Sequence, residues 1–305
     1  MAVFPSRTWM DIALTALAPA IWGSTYLVTT EVLPPDRPFT SALLRVLPAG
    51  LLLVVYSRKW PARGEWGRLA LLSSLNIAAF QALLFVAAYR MPGGLAAVLG
   101  AIQPLLVMLL AWVVERRRPS LLLWAAGVIG MLGMAALLLS PGAQWDPWGA
   151  AAALAGAACM AAGTYFSRRW PLTLPVLPFT GWQLLLGGVM LAPAAWGLDP
   201  ALPLLSVAQG LGYAYLSLGG ALVAYVLWFR GIARLAPAAV SSLSLLSPLV
   251  AVGLGWAWLG QSVTEGALVG LVMVLGSVLA VQWGSSRQVV SSEEPSSAQS
   301  CSAHH

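Results

Sequence analysis

Arg45, Asn76, Gln103, Ser244 and Ser247 are polar side chains set inside long apolar runs, and they are where this sequence could do chemistry. Arg45 is the only charge well inside such a run. It could hold a carboxylate, or it could extend its stem and rest its guanidinium in interfacial water or on loop carbonyls. The neutral groups must bond across helices or line a wet cavity, and the serines also permit close helix packing. Trp22, Trp182 and Trp228, with Tyr225, offer faces that could stack on an aromatic ring, attract an ammonium group, or simply pack as core. Pro19, Pro48, Pro104, Pro193 and Pro248 each remove a helical hydrogen bond and allow a bend, so as a set they are candidate hinges.

Bond-making chemistry has no support. There is no His-Glu-x-x-His, no Gly-x-Ser-x-Gly and no glycine-rich phosphate loop with lysine. The 10 acidic residues all fall at the edges of apolar runs, in connections or in the tail, so none cluster to hold a metal. His304 and His305 resemble a tag fragment rather than a metal site. Neither metal nor cofactor is expected. The lack of a carboxylate at mid-run also points away from proton or sodium coupling and towards facilitated movement of a substrate.

The runs themselves must position these groups. The chain is 59% hydrophobic and 9% charged, with a mean hydropathy of +0.82. Ordinary soluble proteins are about 45–50% apolar, so the lipid bilayer is the expected solvent. The runs are not alternating, which predicts helices rather than a barrel. Ten segments can span the bilayer: 9–30, 38–57, 66–90, 92–115, 119–139, 148–168, 177–196, 207–230, 236–259 and 264–283. With the N-terminus in the cytoplasm, 13 Lys and Arg fall on the cytoplasmic side and only Arg37 and Arg90 outside. That asymmetry sets both termini inside. Basic residues dispersed over short connections do not make a nucleic-acid surface. Cys159 lies in an apolar run and Cys301 in the tail, so no disulfide is expected.

The chain repeats itself. Thr25-Tyr26 matches Thr164-Tyr165, Pro38-Phe39-Thr40 matches Pro178-Phe179-Thr180, Pro104 matches Pro248, and Trp112 matches Trp256, at a shift of 139 to 144 residues. Five segments per copy is an odd number, so the second copy enters the membrane from the opposite side. The expectation is an all-α membrane protein of ten transmembrane helices in two inverted five-helix repeats, 1–140 and 141–287. Helices 1–4 and 6–9 should surround a central cavity, with helices 5 and 10 peripheral. Residues 288–305 read as a disordered tail or expression remnant. Gly266 and Gly270 make a Gly-x-x-x-Gly that serves either bundle packing or a weak homodimer.

Trp22-Gly23-Ser24-Thr25-Tyr26, Arg45, Ala233-Arg234-Leu235-Ala236-Pro237, Ser247-Pro248-Leu249 and Leu259-Gly260-Gln261 together resemble the motifs of EamA-domain proteins. Gln261 stands where that family usually has glutamate. The chain is thereby identified as similar to the drug/metabolite transporter superfamily, and within it to the YddG-type amino-acid exporters. The resemblance implies alternating-access export of neutral and aromatic amino acids from the cytoplasm across a bacterial inner membrane. Arg45 would hold the carboxylate, Asn76, Gln103, Ser244 and Ser247 would supply hydrogen bonds, and Trp22, Trp182 and Trp228 would shape the pocket. Another small metabolite or drug is the alternative cargo; a channel or a membrane enzyme is a remoter one.

Overall fold

The computed structural model describes residues 6–90, 93–116, 118–138, 146–259 and 264–293. Among the described residues, ten helices are long and apolar enough to cross a membrane. They are α1 (Thr8–Thr29), α2 (Pro38–Ser57), α3 (Arg63–Ala87), α4 (Ala96–Glu115), α5 (Leu121–Leu138), α6 (Pro147–Arg169), α7 (Val176–Leu198), α8 (Val207–Arg234), α9 (Pro237–Trp258) and α10 (Glu265–Ser285). No strand occurs among the described residues. Local chemistry sets several helix starts. Proline occupies the first helical turn of α2, α6 and α9, where its missing N–H costs nothing. Asp146 accepts from the Gly149 N–H at 3.0 Å, and Ser206 and Gln209 cap α8 reciprocally. The last helix continues beyond its spanning part to Glu293, into the stretch expected to be disordered. Gln261, Cys301, His304 and His305 lie outside the described residues.

Contacts between connections define two faces. Asp11 meets Arg230 and Arg234, Glu65 meets Thr173, and Arg168 donates to the Ala233 carbonyl. These join the start of α1, the ends of α6 and α8, and the 2–3 and 6–7 connections on one arginine-rich face. On the other face Arg37 donates to the Ala201 carbonyl, Asp199 accepts from the Thr40 N–H, and Arg90 pairs with Asp146.

Helix packing is consistent with an exchange of halves. α2 lies along α7 and α5 along α10, so each pair maps onto itself. α1 packs on α8 and α9, and α6 packs on α3 and α4, so these sets map onto one another. Glycine makes the closest crossings. A Cβ on Gly270 would stand 2.5 Å from the Gly133 carbonyl, so the Gly-x-x-x-Gly of α10 is used inside the bundle. A Cβ on Gly50 would fall on the backbone of Leu185, which cannot rotate away. Gly50→Ala must therefore part α2 from α7, at a cost of about 1–3 kcal/mol. Thermal unfolding in detergent checks this against Gly67→Ala, where a Cβ meets nothing within 4 Å.

Four helices depart from regular α geometry, at matching places in the two halves. α3 holds a π-turn at Ser74–Ala78 and α8 one at Leu218–Val223. α4 breaks into turns at residues 101–102, just before Gln103-Pro104, and α9 breaks at residues 244–245, just before Ser247-Pro248. Pro104 and Pro248 cannot donate to the carbonyl four residues back, which explains breaks at these places. Pro19, Pro48 and Pro193 sit inside helices that stay continuous.

A candidate substrate cavity between the two halves

One cavity of about 690 Å³ runs into the bundle from the face opposite the arginine-rich one. Its mouth is the 1–2 connection, Pro34 to Pro38, with Asp36 and Arg37. Its deep end is Met134, Met160, Tyr225 and Leu245. Among the described residues, no side chain of the arginine-rich connections lines it.

Arg45, halfway along α2, reaches the cavity and donates from Nη2 to the Gly220 carbonyl at 3.1 Å. Trp22 Nε1 donates to the same oxygen at 3.0 Å. The π-turn of α8 is what offers this carbonyl, because a wider turn loosens the regular hydrogen-bond ladder. Glycine fits closely there: a Cβ would press on the Thr25 methyl at 2.9 Å. The guanidinium is thus held by the backbone of α8 where Arg45 lines the cavity.

The two broken helices bring in the remaining polar groups. The Ser244 hydroxyl stands 2.6 Å from the Ser241 carbonyl and 3.3 Å from Gln103 Oε1. It carries one proton, and the shorter contact takes it. Gln103 is 6% exposed, and its Nε2 has no hydrogen-bond partner. Gln81 is likewise buried, with Nε2 at a long 3.5 Å from the Tyr225 hydroxyl and Oε1 without a partner. Two carboxamides therefore bring unmet hydrogen-bonding capacity to one cavity wall, a demand that water or a ligand satisfies. Phe80, Phe85, Trp22 and Tyr225 supply its aromatic surface. The chemistry on offer is one cation, neutral amides and hydroxyls, and rings. At depth there is no carboxylate and no group of side chains able to hold a metal among the described residues.

Trp22, Arg45, Gln103, Ser244 and Ser247 line the cavity, and so does Pro248, one of the candidate hinges. Asn76, Trp182 and Trp228 do not. Asn76 faces α6 and α7, where its Nδ2 donates to Gln183 Oε1 at 3.0 Å and Ser167 Oγ at 3.1 Å, with its amide over Gly163. Trp182 lies at the arginine-rich end of α7, donating to the Lys59 carbonyl and packed against Trp60 and Trp66. Trp228 is fully buried against Trp22, 5.2 Å between centroids, and lies outside the cavity lining. α7 lines none of the cavity because its length is spent on α2, whereas α5, expected outside, contributes Met134. Gln81, Thr25, Thr29 and Ser41 also line it. Thr25 and Thr29 carry a readable signal, standing one turn and two turns beyond Trp22 on the same helix face.

The opposite end is latched. Asp11 Oδ1 accepts from Arg230 Nη2 at 2.6 Å and from Arg234 Nη1 at 3.2 Å, fastening the start of α1 to the end of α8. The Tyr165 hydroxyl donates to Glu115 at 3.0 Å, tying α6 to the end of α4.

The sequence pattern of the EamA-like transporter family matches residues 9–139 and 147–283. Protein PecM of Dickeya dadantii (strain 3937) is 39% identical over 267 residues, covering 87% of this chain and 90% of its own. The WAT1-related protein At3g02690, chloroplastic, of Arabidopsis thaliana is 31% identical, covering 86% of this chain and 67% of its own. The uncharacterized inner membrane transporter YedA of Escherichia coli (strain K12) is 30% identical, covering 87% and 88%. A crystal structure at 18% identity superposes with a TM-score of 0.78 over 92% of this chain and 98% of the other, which is a likeness of fold.

Proposed function

From the premise that this chain belongs to the EamA-like transporter family of the drug/metabolite transporter superfamily, and is a multi-pass membrane transporter rather than an enzyme, we propose that it exports small neutral and aromatic amino acids by alternating access. The observation that carries the reading is Arg45 in a water-reachable cavity with aromatic walls and no deep carboxylate. A carboxylate matches the fork of an arginine, and ring faces with backbone carbonyls suit an ammonium group. A cationic cargo would meet repulsion from Arg45.

A cavity open at one face and an ion pair fastening the other support this reading, because alternating access needs a gate on each side. The arginine-rich face belongs in the cytoplasm by the positive-inside rule. On this reading both termini lie inside and the state described is outward-open, in a bacterial inner membrane like the one in YedA's name. With no carboxylate at depth among the described residues to carry a proton or sodium ion, movement follows the substrate's own gradient. Since the Gly-x-x-x-Gly of α10 is spent on α5, a monomer suffices, with at most a weak homodimer.

One observation favours a second cargo. A volume of about 690 Å³ lies well inside the range of drug-sized sites, about 300–1,000 Å³, and leaves room around a single amino acid for a larger metabolite. Uptake of labelled neutral and aromatic amino acids into sealed proteoliposomes separates the two. Saturable uptake, indifferent to pH and sodium gradients, is the expected result. Failure of every amino acid, with thermal stabilisation by a larger anionic metabolite, would move the cargo to that class.

A further inference from the structure

The connection between α2 and α3 sets both cations and aromatic rings outward on a fixed frame. Arg58 closes α2 in a left-handed turn, φ 49°, with its N–H on the Val54 carbonyl. The Lys59 carbonyl is held by Trp182 Nε1 at 2.9 Å. Glu65 accepts from the Ala62 N–H at 3.2 Å, and from the Thr173 N–H and hydroxyl at 2.7 and 2.9 Å. The only acid of the connection is thus committed to holding its shape. Arg58, Lys59, Arg63 and Arg68 are all exposed, and among the described residues none has an acidic partner within ion-pair distance. Elsewhere on this face Arg230 and Arg234 are spent on Asp11, and Arg168 on the Ala233 carbonyl.

Three tryptophans step outward beside these cations. Trp182 is buried, Trp66 is half-buried and Trp60 is 72% exposed. Their centroids stand 4.9 Å (Trp60–Trp182), 5.0 Å (Trp66–Trp182) and 6.5 Å (Trp60–Trp66) apart. Just above them, Leu51, Leu52 and Val55 of α2 are exposed within a membrane-spanning segment, where acyl chains are the solvent. Tryptophan prefers the headgroup level, and clustered Lys and Arg beside a span attract anionic lipid.

We propose that this surface binds the headgroup of an anionic phospholipid, the phosphate held by Arg58, Lys59, Arg63 and Arg68 and the glycerol region resting on Trp60. The site is independent of the cargo. The fixed backbone frame matters, because only the side chains remain to be ordered on binding.

The test uses the full chain in detergent, titrated with phosphatidylglycerol, phosphatidylcholine or soluble glycerol 3-phosphate, and reads thermal unfolding and lipid retention by native mass spectrometry. Phosphatidylglycerol should raise the unfolding midpoint by about 4 °C more than phosphatidylcholine. It should also be retained at least about tenfold better. Both differences should vanish in a variant with Arg58→Gln, Lys59→Gln, Arg63→Gln and Arg68→Gln, survive in Arg116→Gln/Arg118→Gln, and weaken in Trp60→Ala. Retention of the preference by the fourfold variant overturns the proposal. So does its loss in the Arg116/Arg118 variant alone, or equal stabilisation by glycerol 3-phosphate, which would make the ligand a free phosphate.

Discussion

Arg45→Gln is expected to lower flux at limiting substrate by one to two orders of magnitude while leaving the protein at least as heat-stable as before. The two halves of this result come from separate terms. A hydrogen bond between charged partners contributes about 1.5–3 kcal/mol, which is roughly a 10- to 100-fold change in transport efficiency when it is lost. The same guanidinium sits at membrane depth, where a cation costs roughly 2.5–3.5 kcal/mol, so removing it does not weaken the fold by much. Among its anchors is a bond to the Gly220 carbonyl, an oxygen that Trp22 Nε1 still serves in its absence. Arg45→Lys keeps the charge but not the fork, and should recover only part of the flux. Flux by tracer uptake and stability by thermal unfolding are measured on the same preparations. If flux and unfolding midpoint fall together, Arg45 is a structural cation and the carboxylate assignment fails.

The sequence made Arg45 conspicuous because a charge inside an apolar run carries a transfer cost that something must offset. It made the ten helices conspicuous for the converse reason. Gln103, Ser244 and Ser247 were legible too, since a proline follows each group closely and proline opens the backbone where they stand. Asn76 and Gln81 show where this reasoning stops. They lie five residues apart, about 140° around a helix, so one face cannot present both. The nearer to mid-membrane looks the better candidate, yet a π-turn at Ser74–Ala78 and the packing of Gly163 send Asn76 into the α6–α7 contact and leave Gln81 to the cavity. A π-turn has no reliable signature in a single sequence. Trp182 fails for a different reason: its partners Trp60 and Trp66 are more than a hundred residues away, and only the α2–α7 packing brings them together. Asp11 likewise reads as one more acid at a membrane edge until the fold places Arg230, 219 residues away, against it.

That ion pair leads to the second large effect. Asp11→Asn should unlatch the arginine-rich face. The Asp11 and Arg230 side chains are 13% and 19% exposed, while Arg234 is 54% exposed and contributes less. Breaking a fully buried pair from one side costs about 3–5 kcal/mol; partial exposure brings this to about 2 kcal/mol. Arg230 Nη1 is already buried without a hydrogen-bond partner, so the neutral amide leaves the guanidinium poorly compensated. If the latch exists only while this face is closed, the whole loss bears on the equilibrium between the two states, moving it about 30-fold towards opening. A reporter cysteine at Ser167, on α6 near this face and bonded to Asn76, reads the change in a background of Cys159→Ser and Cys301→Ser. A membrane-impermeant thiol reagent applied from the arginine-rich side should label it roughly ten times faster in Asp11→Asn than in the parent. Arg230→Gln should do the same, and the double variant should add little, because both remove one interaction. The exchange Asp11→Arg with Arg230→Asp should restore slow labelling. A fall in thermal stability with no change in labelling would mean that the pair persists in both states and serves the fold rather than the gate.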